Sequence, residues 1–118
     1  MYVVKRTTRK EHKNMWNIEN ETGYKPLTTL YEDFSIAEPF GRSALEDTYK
    51  NALIYVKNDY KLFTELVMVL NWKIWALYRR NEQMARVYDG LWRKAESEFF
   101  EKYEEDEEAM RYFYRTTD

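Results

Sequence analysis

The sequence predicts a mainly α fold, a single-domain antiparallel helical bundle of 118 residues with a short extended N-terminal segment. Three observations carry that expectation. Hydrophobic residues make up 44% of the chain and aromatics 18%, enough for a core despite 34% charged residues. Three glycines and two prolines are too few for the turns of a β-rich fold. Apolar residues recur at i, i+3, i+4 and i+7 over long stretches, the period of a helix packed on one side.

Taken in order, residues 1–7 hold the β-branched run "YVVKRT" and predict an extended arm or short strand. Thr8 and Glu11 then form a capping box, opening a helix that stops before Gly23. Thr29 and Glu32 form a second box, predicting a short helix with Leu30, Phe34 and Ala37 inward, ended by Pro39 and Gly41. Ser43 and Glu46 form a third, opening a helix to about Lys57 that turns Leu45, Tyr49, Ala52, Leu53 and Val56 inward. Asn58 or Asp59 caps the next helix, from Tyr60 to about Arg80. Asn81 caps the last long one, Glu82 to about Glu104, whose stripe is Met84, Val87, Tyr88, Leu91, Ala95, Phe99 and Tyr103. Residues 105–118 read as an acidic and aromatic C-terminal tail adding a turn or two. Short connections between long helices favour antiparallel neighbours.

The stretch "ELVMVLNWKIWALYRR" is apolar in nearly every direction. Phe63, Leu66, Val67, Leu70, Ile74, Leu77 and Tyr78 form its core face. Met68, Trp72 and Trp75 lie opposite, bracketed by Glu65 and Arg79. A helix apolar all round is central in its domain, so the N-terminal arm or the 29–38 helix is the expected cover. The competing reading makes Met68, Trp72, Trp75 and Arg79 a surface for a partner or a second copy, since Trp, Met and Arg are enriched at binding hot spots.

Several functions are excluded or disfavoured. Without cysteine there is no disulfide framework, thiol catalysis or thiolate zinc site. No apolar run exceeds Leu66 to Leu70, far short of a membrane span, and the start of the chain lacks a signal-peptide pattern. A cytoplasmic protein is expected. His12 is the only histidine and sits among charges. No Glu-x-x-His pair, G-x-S-x-G or phosphate-binding glycine loop is present, so the chain reads as a non-enzyme without cofactor or metal.

Net charge is −2, unevenly spread. The acidic run "ESEFFEKYEEDEE" invites a mimic of nucleic-acid phosphates, through Glu104, Glu105, Glu107 and Glu108. Against it stands a solvated helix end, although acids at a helix C-terminus oppose its dipole. Lys5, Arg6, Arg9, Lys10 and Lys13 offer the alternative of direct nucleic-acid binding, which would be weak and salt-dependent from so short a segment.

The order of "EDFSIAEPFG", "DTYKNA", "TELVMVLNWKIW", "NEQMARVYDGLW" and "YFYRTTD" resembles a family of small uncharacterised proteins from gut anaerobic bacteria and their phages or mobile elements, over residues 28–118. The resemblance assigns no activity and no functional residue. It implies a mobile-element setting, in which small proteins bind and inhibit host machinery. The expected function is therefore a non-catalytic protein-binding module, an anti-CRISPR-like inhibitor of a host nucleic-acid enzyme or defence complex. Its partner would be a host protein or nucleoprotein complex, or a second copy of the chain; a small nucleic-acid-binding accessory protein is the alternative.

Overall fold

A computed structural model describes residues 27–117 of the chain. The expected arm, the 8–22 helix, His12 and the basic residues Lys5, Arg6, Arg9, Lys10 and Lys13 lie outside the described residues. Within them the fold is all-α: α1 (Leu27–Ala37), a 3-10 turn (Glu38–Phe40), α2 (Arg42–Val56), α3 (Tyr60–Leu77), α4 (Glu82–Tyr103) and α5 (Glu107–Thr117).

Side-chain caps set the longer helices. Asp59 accepts hydrogen bonds from the amides of Lys61 and Leu62 to open α3, and Asn81 accepts from Met84 to open α4. Asp106 accepts from the amide of Ala109 at 3.1 Å at the start of α5. The other two expected caps are corrected. Thr29 is buried inside α1, which already begins at Leu27. Ser43 is exposed one residue into α2, whose flanking residue is Gly41, and Glu46 pairs with Arg42 at 3.0 Å instead. The cause is the turn before it. Pro39 stands in the middle of the 3-10 segment, and Gly41 takes φ +93°, a left-handed conformation that disfavours side chains. The helix can therefore begin at once, before the serine.

α3 and α4 form the antiparallel centre, with the Phe63 ring edge-on to Phe99 at 5.2 Å. α2 runs alongside α4, tied by Tyr49 donating to Glu98 at 3.0 Å and Tyr103 donating to the Lys57 carbonyl at 2.9 Å. Residues 107–117, expected as a tail with a turn or two, are instead a docked helix. Its Ala109 and Phe113 are buried one turn apart, and Phe113 stacks on Phe99 at 4.5 Å.

The core follows the expected stripes closely. Leu30, Phe34, Leu45, Tyr49, Val56, Phe63, Leu66, Val67, Leu70, Tyr88, Leu91, Ala95 and Phe99 are all buried. Tyr78 is a correction: α3 ends at Leu77, and the tyrosine, in the following turn, is 55% exposed.

Leu62, Thr64, Val69 and Ala85 join this core from outside the expected stripes, and so does one charged residue. Lys73 is 5% exposed and stands on the same face as Leu66, Leu70 and Leu77. Its ammonium pairs with Glu38 at 2.8 Å, donates to the Ser35 hydroxyl and lies 4.0 Å from the Tyr31 ring centre. Tyr88 donates to the same Glu38 carboxylate at 2.7 Å, and burial followed by this carboxylate pushes its phenol far above the usual range. A buried ion can persist only if so compensated. The cluster pins α1 and the 3-10 turn onto α3 and α4.

Candidate binding groove

Because Lys73 turns toward α1, the opposite side of α3 faces away from it. Helix α1 therefore does not cover Met68, Trp72 and Trp75, contrary to the expectation for the 29–38 helix. Trp72 is 46% and Trp75 66% exposed. The other expected cover, the N-terminal arm, lies outside the described residues.

The stripe does not stand alone. Met68, Asn71 and Trp72 from α3 meet Trp92, Glu96 and Phe100 from α4 and Tyr114 and Thr117 from α5. Together they line a groove of about 460 Å³, within the size range of ligand and peptide-anchor pockets. Phe100 holds its far wall in place, packing edge-on to Phe113 at 5.2 Å and parallel to Tyr114 at 6.3 Å. Burial raises the Glu96 carboxyl above its ordinary range, an effect that the nearby Arg93 opposes. Trp75 and Tyr78 extend the aromatic surface beyond the groove, with ring centres 5.7 Å apart.

Of the expected binding residues, the structure thus brings Met68 and Trp72 into one concave site, with Trp75 beside it. Arg79 is exposed in the turn after α3. Trp92, Glu96, Phe100 and Tyr114 were missed. A signal existed: Trp92, Glu96 and Phe100 recur every four residues, a second stripe beside the core stripe of α4.

The acidic residues lie elsewhere. Glu104 and Glu105 follow α4, whereas Glu107 and Glu108 occupy the first turn of α5. The expected conflict with a helix dipole is therefore corrected for half of the run, since acids at a helix N-terminus are favoured. All four are exposed. Glu108 accepts from the Tyr60 hydroxyl at 2.9 Å, which is the main reason that this phenol titrates higher than usual. Among the described residues no group of three or more His, Cys, Asp and Glu side chains could hold a metal ion, and no helix is long and apolar enough to cross a membrane.

Comparison of the chain with family models, with curated proteins and with solved structures finds no match.

Proposed function

We propose that this chain is a non-catalytic protein-binding module that works through the groove beside Trp72. The observation that carries the reading is a half-exposed tryptophan, Trp72, lining a concave site with Met68, Trp92, Phe100 and Tyr114, and a second exposed tryptophan, Trp75, one turn beyond it. Tryptophan clustered in a concave patch is the composition of an interface hot spot. An anchoring apolar or aromatic side chain of the partner would fill the groove, and Glu96 and Asn71 would select for a donor beside it. The most reactive-looking group, Lys73, is buried and satisfied by Glu38, Ser35 and Tyr31, which supports a structural rather than a catalytic part for it.

The resemblance to mobile-element proteins favours a host nucleic-acid enzyme or defence complex as the partner, with inhibition as the outcome. In that setting Glu104, Glu105, Glu107 and Glu108 would speed encounter with a basic surface.

The test is Trp72→Glu, which buries an unpaired charge in any complex but replaces a half-exposed residue, not a buried one. The variant should keep its helicity and melting temperature and lose the host proteins that the wild type captures from nuclease-treated lysate. Unchanged capture by the variant, or capture by the wild type that vanishes with nuclease, would refute the reading.

A further inference from the structure

On the other flank of α4, between it and α2, lies a groove of about 520 Å³ with a different chemistry. Arg42, Glu46 and Lys50 follow one another by single turns along one wall, and Arg86, Gly90 and Lys94 do so along the other. Each wall thus places cations two turns, or about 12 Å, apart. Between them stand only Glu46 and Gly90. The floor is apolar, from Tyr49, Val87 and Leu91. Arg42 and Arg86 each pair with an acid on their own helix, but Lys94 rests over the Tyr49 ring at 5.6 Å. Neither Lys50 nor Lys94 has a carboxylate partner among the described residues.

Gly90 is the unexplained member. It sits mid-helix, where glycine is a far poorer helix former than alanine. A Cβ there would meet nothing within 4 Å, so packing inside the fold does not require its absence. What the glycine provides is room over the middle of the groove, where another backbone can approach closely.

We propose that this groove docks an acidic amphipathic helix of a partner protein, one carrying carboxylates two turns apart. Charge and spacing select that occupant. Carboxylates at i and i+7 or i+8 lie about 10–12 Å apart on one face of a helix, matching the two ends of the groove. The turn between them, small or basic, faces Glu46 and Gly90. A nucleic-acid strand presents phosphates without such a gap and would set one against Glu46. A compact polyphosphate reaches only one end. The chain's own residues 1–26 carry six Lys/Arg against three Glu, the wrong sign. Part-exposed Val87 and the aliphatic stems of Arg86 and Lys94 supply the apolar contact of a helix-in-groove complex, and the exposed cations set its register and on-rate. The site does not rest on the aromatic groove across α4.

The test uses fluorescence anisotropy with the full chain and three probes. One is a helical peptide with glutamates at i and i+8 and an apolar face; the second has the same composition with its glutamates on successive turns. The third is a single-stranded oligonucleotide of equal charge. The first should bind about tenfold more tightly than either other. Gly90→Leu should abolish that binding while its melting temperature holds or rises, because leucine is the better helix former. Arg86→Glu with Lys94→Glu should weaken it and recover it with a peptide carrying lysines at the same positions. Equal binding of the three probes, a preference for the oligonucleotide, or full binding by a folded Gly90→Leu would overturn the proposal. So would concentration-dependent dimerisation that the charge reversals abolish, which would give the groove to a second copy.

Discussion

Replacing Glu65 with glutamine should stabilise the protein at neutral pH and leave it unchanged in acid. Glu65 lies on α3 below Trp72, and its Oε1 is buried without a hydrogen-bond partner among the described residues. Burial first, and the Asp59 carboxylate second, push its pKa from the ordinary 4.5 up to about 7. The folded state therefore holds a proton that the unfolded chain has released between those two values. By linkage, stability falls as pH rises from about 4.5 to about 7 and stays lower above it. A shift of that size corresponds to about 3 kcal/mol at full effect. The carboxyl retains some contact with water, so screening reduces the expected penalty to about 1–2 kcal/mol. Glutamine keeps the shape and removes the charge. Urea unfolding of both proteins from pH 4 to pH 8 should show curves that coincide near pH 4 and separate by that amount at pH 8. A constant offset across the range, or a less stable variant at pH 8, would refute the assignment.

Three further substitutions probe the frame. Leu70→Ala removes a fully buried side chain at the centre of α3 and should cost about 2–5 kcal/mol in chemical denaturation; an unchanged midpoint would mean that the helix is turned the other way. Lys73→Met should cost about 3 kcal/mol, the low end for breaking a buried pair, because Glu38 keeps the Tyr88 hydroxyl. Adding Glu38→Gln should return more than half of that loss, and failure to do so would show that the lysine acts through packing alone. Asp59→Ala removes the acceptor for two amides at the start of α3 and should lower stability by about 1 kcal/mol, read as a shift in melting temperature.

What the sequence made legible follows the range of the interactions involved. The helices α2, α3 and α4 and their buried stripes were readable because a 3.6-residue period and an Asp or Asn cap are local signals. The two failed capping boxes were also local patterns, but α1 begins at Leu27, before Thr29, and the turn through Pro39 and the left-handed Gly41 lets α2 begin before Ser43. Lys73 was visible as the one charge in the series Leu66, Leu70, Lys73, Leu77. Its role was not, because its partners Ser35 and Glu38 come from two other elements, α1 and the 3-10 turn. The basic groove was harder still. Arg42 and Lys50, or Arg86 and Lys94, each read as a solvated helix face until the register of α2 against α4 brings them together.

The apolar girth of α3 has a geometric origin. Its 18 residues span about 27 Å, whereas the 11 residues of α5 span about 16 Å. The two run side by side from a common start, where Tyr60 meets Glu108 and Tyr112. α5 therefore reaches only as far as Asn71 and Trp72, where its last threonines line the groove. Beyond that point no helix among the described residues lies over the same side of α3 for about two turns, and Trp72 and Trp75 occupy those turns. On the other side, α1 clasps the same two turns through Lys73. A shorter α3 would lose the lysine anchor, and a longer α5 would bury the tryptophans. Among the described residues, α3 thus serves two neighbours that cover different lengths of it, and the aromatic end that they leave exposed opens directly into the groove.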